Sequence, residues 1–415
     1  MGCPEMMGCS ERCRPREMGA TGDRVPRASS LHSPPVTAAF AEIVDSFFRP
    51  AVNALVPYEP GKPVEEVQRE LGLERVVKLA SNEGPFGPFP AALEALERAS
   101  LELNRYPDGG AYRLRGALAE RHGVRFEEVA IGAGADGVLD CLAQAVLDPG
   151  DEVVCGWPSF PSYVIYAKRQ GAVPVTVPLR GHTYDLEALL AAVTEKTKIV
   201  YVSYPNNPTA TANTRAELDG FVAELPGHVL AVIDQAYFEY VDDPDHVDAI
   251  ERYAKQGARV AVLRTFSKIF GLAGLRVGYA VAPASLAASI AKVRRPFDIS
   301  IPAQEAALAS LDNPAEVERR RQVNAEQRPI LQRAMRESGL EPAPGAVANF
   351  LYAETPGGDA RAFFEALLRE GVIVRPLSGF GAQGAVRVTV GTPEENQLFV
   401  AALARVLTEA ARASA

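Results

Sequence analysis

Three short runs of this sequence end in residues able to do chemistry. Val232-Ile233-Asp234-Gln235-Ala236-Tyr237 closes an apolar stretch with a carboxylate and a phenol, and Leu263-Arg264-Thr265-Phe266-Ser267-Lys268 closes another with hydroxyls and an amine. Pro205-Asn206-Asn207-Pro208-Thr209 follows a third with an amide. Singly, each has a plain reading: a strand-end Asp caps, a Lys is solvated, and Asn with Pro makes a turn. Together they put an amide, a carboxylate, a phenol and an amine at the carboxyl ends of strands, where open α/β sheets bind ligands. An amine in such a cleft becomes a nucleophile or proton carrier once burial lowers its pKa.

A fourth run, Gly132-Ala133-Gly134-Ala135-Asp136-Gly137, fits GxGxxG between a strand and a helix. Dinucleotide binding also needs an acidic residue at the end of the second strand. Asp151 and Glu152 stand before that strand, at the wrong end. The narrower inference is an anion site made by backbone N–H groups at a helix N-terminus. A nicotinamide dehydrogenase would also leave Lys268 without a role.

The elements that must position these groups follow from periodicity. Strands are predicted at 129–131, 152–155, 173–177, 198–202, 229–234 and 259–264, with helical patterns between them, such as 137–147 and 215–225. This alternation predicts an α/β fold with a mainly parallel sheet covered by helices on both faces. After Pro296 the order changes to a long charged helix at 314–338, a strand at 349–353, a helix at 360–369, strands at 372–375 and 386–390, and a final helix at 394–413. That order predicts a smaller α+β domain.

The composition excludes several classes of function. The chain has 415 residues, 47% of them hydrophobic, and 43 basic against 52 acidic residues give a net charge of −9. Such a chain offers no global field for nucleic acid or anionic membrane, so anion binding must be local. No apolar run approaches the ~20 residues of a membrane span, and a soluble, cytoplasmic protein is expected. Cys3, Cys9 and Cys13 lack the paired spacing or histidine partners of a zinc site, so no metal is expected. Residues 1–35 hold four of the five Met, five Pro, four Gly and no aromatic residue, and a disordered tail is predicted there.

The whole set resembles the fold-type-I pyridoxal-phosphate aminotransferases, class I/II, from about Ala51 to Val406. Its most specific parts are Thr265-Phe266-Ser267-Lys268-Ile269-Phe270-Gly271-Leu272-Ala273-Gly274-Leu275-Arg276-Val277-Gly278, Asp234-Gln235-Ala236-Tyr237, and Pro205-Asn206-Asn207-Pro208-Thr209. The resemblance implies a seven-stranded large-domain sheet and pyridoxal 5′-phosphate as cofactor. It makes Lys268 the Schiff-base lysine and proton carrier, Asp234 the partner of the pyridine nitrogen, and Tyr237 and Asn207 donors to the ring 3-oxygen. Arg276, Thr265, Ser267 and the N–H groups of Gly134, Ala135 and Asp136 would hold the phosphate, and Phe160 would stack on the ring. Tyr106, in Asn104-Arg105-Tyr106-Pro107-Asp108-Gly109, matches a tyrosine that reaches the neighbouring subunit's cofactor, which implies a homodimer.

Within that family, the sequence is most similar to histidinol-phosphate aminotransferases. The stretches concerned are Pro57-Tyr58-Glu59-Pro60-Gly61-Lys62-Pro63, Lys78-Leu79-Ala80-Ser81-Asn82-Glu83, Ile373-Val374-Arg375-Pro376-Leu377 and Val386-Arg387-Val388-Thr389-Val390-Gly391-Thr392. The similarity implies that Arg387 grips the glutamate carboxylate and that Arg375 and Tyr58 join it on the phosphate of histidinol phosphate, with Asn82 also at the substrate. Gly84, Ala133, Ala135 and Ala210 depart from the family pattern, standing for Asn, Asn, Ser or Thr, and Gly. Phenylalanine transamination and decarboxylation of a phosphorylated amino acid remain alternative activities at this point. The expected domains are an N-terminal segment at 36–80 packing with the small domain, a large cofactor-binding domain at 81–298, and a small domain at 299–415.

Overall fold

The computed structural model describes residues 47–53, 55 and 61–413. The tail expected at 1–35 and Tyr58 lie outside them. The strands are β1 (Val77–Lys78), β2 (Val129–Gly132), β3 (Glu152–Trp157), β4 (Val173–Pro178), β5 (Thr197–Ser203), β6 (Leu230–Asp234), β7 (Val260–Thr265), β8 (Gly278–Val281), β9 (Phe350–Glu354), β10 (Val372–Ile373), β11 (Arg375–Pro376) and β12 (Ala385–Thr389).

Seven of them form one sheet in the order β2-β8-β7-β6-β5-β3-β4. The pairs from β4 through β7 are parallel, while β8 is antiparallel to both β2 and β7. The sequence reading had no strand at β8. It is four residues long, opens on a glycine, and adjoins the loop motif around Arg276, which hides its apolar signal. Every residue of β6 and β7 is buried, and neighbours along each strand enter opposite cores. Val200, Ile233 and Val262 join one cluster with Phe89 and Leu118, whereas Ile199, Val232 and Ala261 join another with Leu139 and Tyr163. Burial on both faces is why these strands read as unbroken apolar runs.

The remaining strands build a second core. Sheet β11-β12-β9 is antiparallel, and β1 pairs in parallel with β10. The single strand predicted at 372–375 is therefore two, divided at Val374, where the chain changes partner from β1 to β12. Leu79, Phe350, Phe364, Val388 and Phe399 share this core. Helix Ile301–Leu311 does not belong to it. Its Ala303, Ala306 and Ala307 pack in the core of Phe89 and Ala92, so the division between the cores falls after this helix rather than at 298/299. The alanines permit that close packing, and their short side chains give no sign of it in the sequence.

Candidate active site

The carboxyl ends of β5, β6 and β7 open on one cavity of about 350 Å³, lined among others by Asn207, Asp234, Tyr237, Lys268, Arg276 and Phe160. Thr265, Ser267, Ala135 and Asp136 line it as well. Parallel strands in register carry these residues to a common edge: Ser203 pairs with Asp234, and Asp234 with Leu263.

Lys268 is part-buried, and its Nζ donates to the Ser81 carbonyl at 3.3 Å. Burial, reinforced by the positive charges of Arg387 and Arg276, brings its amine from 10.5 down to about 7. Such an amine exchanges protons near neutral pH. Asp234 is buried, which raises its carboxyl above the ordinary range; the Tyr163 hydroxyl (2.7 Å) and the Ala236 N–H (3.0 Å) donate to it and oppose that rise. Tyr163 was missed from sequence. It stands three residues after Phe160, in the first turn of helix Ser162–Gln170, and stacks on Tyr201 with ring centroids 4.4 Å apart. Phe160 meets the Tyr163 ring edge-on at 5.6 Å.

At the other end of the cavity, helix Gly134–Val146 begins beside Arg276. Gly134 has φ +77°, and a side chain there would meet the Arg276 guanidinium at 2.7 Å. Gly278 is as constrained, since a Cβ would lie 2.4 Å from the Ala135 nitrogen. The two glycines let a guanidinium and a helix N-terminus converge, a combination that suits a phosphate. Ala135 lacks a hydroxyl but keeps its backbone donor. The Thr265 hydroxyl donates to Ser267 Oγ at 3.0 Å on the same side. This donor set fits pyridoxal phosphate: an amine for its aldehyde, a carboxylate for its ring nitrogen, and a cationic cradle for its phosphate.

Arg375 and Arg387 are direct cross-strand partners on β11 and β12. Their guanidinium carbons lie 5.6 and 5.2 Å from the Phe380 ring centroid. Arg387 is buried and donates to Asn207 Oδ1 and, at 2.8 Å, to the Ala80 carbonyl. Arg375 lines a neighbouring cavity of about 750 Å³ with Trp157, Phe364 and Phe380.

One expected residue stands elsewhere. Asn82 does not line the cavity. It is fully buried, and its amide is engaged by Tyr237 and Thr389 behind the wall. Tyr106 is exposed and stacked on Phe297 at 4.7 Å, away from this chain's own cavity. Gly84 has a physical reason: a Cβ would meet the Tyr240 hydroxyl at 2.9 Å and the Lys268 carbonyl at 3.3 Å. Ala210 adopts φ +64°, the region glycine favours, and so carries roughly 1–2 kcal/mol of backbone strain. Among the described residues no group of three or more His, Cys, Asp or Glu could hold a metal ion, and no described helix is long and apolar enough to cross a membrane.

A mainly parallel seven-stranded sheet with a lysine, an aspartate and a tyrosine at its carboxyl edge defines a class of proteins. The class I and II aminotransferase model matches residues 74–403, and the chain belongs to that family. Its similar relatives carry a more particular name. The histidinol-phosphate aminotransferase of Moorella thermoacetica is 44% identical over 359 residues, covering 86% of this chain and 92% of that one. The histidinol-phosphate aminotransferase of Akkermansia muciniphila is 44% identical over 367 residues, covering 88% and 99%. Among solved structures, histidinol-phosphate aminotransferase from Sinorhizobium meliloti in complex with pyridoxal-5′-phosphate matches with a TM-score of 0.79 at 30% identity, covering 88% of this chain and 98% of that one.

Proposed function

We propose that this protein is a pyridoxal-phosphate-dependent aminotransferase that converts L-histidinol phosphate and 2-oxoglutarate to imidazole acetol phosphate and L-glutamate. The observation that carries the reading is one cavity in which the Lys268 amine, with a pKa near 7, shares walls with Asp234, Tyr237 and Arg276. When bound, pyridoxal phosphate supplies an aldehyde that captures amines and a ring that accepts electrons.

The residues divide the remaining work. Asp234, an anion in a buried site, keeps a proton on the ring nitrogen, and Tyr163 holds that carboxylate in place. Lys268 Nζ takes the substrate Cα proton and returns it, which an amine titrating near 7 does in both directions. Asn207 and Tyr237 would donate to the ring 3-oxygen. Arg276, Thr265, Ser267 and the N–H groups of Gly134, Ala135 and Asp136 would hold the phosphate, and Phe160 would pack against the ring.

The substrate part rests on Arg375 and Arg387. Like charges directly opposite across a strand pair repel, and an anion between them removes that cost. One fork-shaped guanidinium can bind a carboxylate or a phosphate, which lets a single pocket take glutamate and histidinol phosphate in turn. Tyr58 completes this grip in our reading.

Tyr106 supports a homodimer. It is exposed, as are Leu101 and Leu103 shortly before it in the chain, and we infer that it reaches the cofactor phosphate of a second copy. A cytoplasmic location accords with this role.

The test compares single-turnover half-reactions of the loaded enzyme with histidinol phosphate, phenylalanine and glutamate. Histidinol phosphate should have the highest kcat/KM. A preference for phenylalanine would replace this reading with that of an aromatic aminotransferase, and carbon dioxide release would replace it with that of a decarboxylase.

A further inference from the structure

Behind the cavity, strand β12 is linked to the tyrosine through one buried asparagine. Asn82 is fully buried with φ +54°. Its N–H donates to Thr389 Oγ1 at 3.0 Å, and the Thr389 hydroxyl sends its single proton to Asn82 Oδ1 at 3.3 Å. Asn349 Nδ2 donates to the Asn82 carbonyl at 3.3 Å. The amide orientation follows: with Oδ1 occupied by Thr389, Nδ2 faces Tyr237 and donates to its hydroxyl oxygen at 3.0 Å. A phenol oxygen that accepts from an amide directs its own proton elsewhere. Asn82 is fully buried and does not line the cavity, whereas Tyr237 does. Thr389 stands two residues past Arg387 on β12, so both project from the same face of that strand.

We propose that Thr389 and Asn82 are positioning residues for the Tyr237 phenol. The threonine hydroxyl fixes the asparagine amide, and the amide fixes the tyrosine proton as a donor into the cavity. Because Arg387 sits on the same strand, the direction of that proton is tied to the element that grips the substrate anion. The inference rests on the pyridoxal-phosphate reading above, with Tyr237 donating to the ring 3-oxygen.

The charged groups lining the same cavity are Glu83, Asp136, Asp234, Lys268 and Arg276, with Arg387 beside it on Asn207. None of them is altered by a substitution at 389. The experiment is a pH titration of the visible absorbance of pyridoxal-phosphate-loaded enzyme. A donor on an ionised 3-oxygen lowers the pH at which the loaded site gives up its proton, so a weaker donor raises it.

For Thr389→Val the midpoint should rise by about half to one pH unit, the equivalent of one ordinary hydrogen bond. Thr389→Ser, which keeps the hydroxyl, should leave it unmoved. Thr389→Val in a Tyr237→Phe background should add no further rise. If the valine variant does not fold, the smaller Thr389→Ala carries the same expectation. An unmoved midpoint in the hydroxyl-less variant, or an equal rise when Tyr237 is already phenylalanine, overturns the proposal. Loaded wild-type enzyme with no visible absorbance would refute the cofactor reading and this proposal together, whereas absorbance with an unmoved midpoint refutes this proposal alone.

Discussion

Replacing Lys268 with methionine should make the cofactor-free protein more stable at neutral pH while abolishing transamination. The amine sits in a wall from which burial and two arginines drive its charge, so its pKa is about 7 when folded against 10.5 for an ordinary lysine. In the unfolded chain the amine recovers the higher value. Between those two pH values the unfolded state binds more protons than the folded one, so the lysine's contribution to stability rises with pH. Below pH 7 both states are protonated and the full penalty of the buried charge is felt. The gap corresponds to a ceiling of about 5 kcal/mol. Solvent still reaches this part-buried group, and halving the ceiling gives roughly 2–3 kcal/mol. Methionine fills the same length without a charge. Urea unfolding of the two apo proteins at pH 6, 8 and 10 measures the difference. The variant should lead by about 2–3 kcal/mol at pH 6, by less at pH 8, and by almost nothing near pH 10. A constant difference across that range, or a less stable variant at pH 6, would refute the argument that burial holds this amine near 7.

Other perturbations have outcomes of equal definiteness. Asp234→Asn removes the anion that keeps the ring nitrogen protonated, and kcat should fall on the order of 100-fold or more while visible absorbance on loading persists. Tyr163→Phe deletes one hydrogen bond to Asp234 and should weaken cofactor binding about fivefold, read from titration of apoenzyme. Gly84→Asn forces a side chain against Tyr240 and the Lys268 carbonyl; a loss of about 1–3 kcal/mol in urea unfolding is expected. Arg387→Lys keeps the charge but loses the fork that spans Asn207 and Ala80, so KM for glutamate should rise about tenfold.

Much of this site could be read from the sequence because parallel strands put their chemistry at strand ends. Asp234 and Lys268 each close an apolar run, and the sheet order brings those ends together without further information. The glycine-rich turn was equally legible once the absence of an acidic strand end set dinucleotide binding aside. What escaped reading was held by contacts distant in sequence. Asn82 is close to the lysine wall, but only its bonds to Thr389 and Asn349, far along the chain, bury it outside the cavity lining. Tyr163 was not singled out, and its hydroxyl acquires meaning only from Asp234. Strand β8 was hidden by its glycine start, and the partner change at Val374 by an unbroken apolar run. In each case the local pattern was sound and the missing information lay in pairing.

The central claim is that Lys268 is the residue to which the cofactor is joined. Borohydride reduction of the pyridoxal-phosphate-loaded enzyme, followed by digestion and mass spectrometry, locates the attachment directly. A phosphopyridoxyl group on the peptide containing Lys268, and on no other lysine, is the expected result. An adduct on a different lysine, or none after loading, would contradict the account.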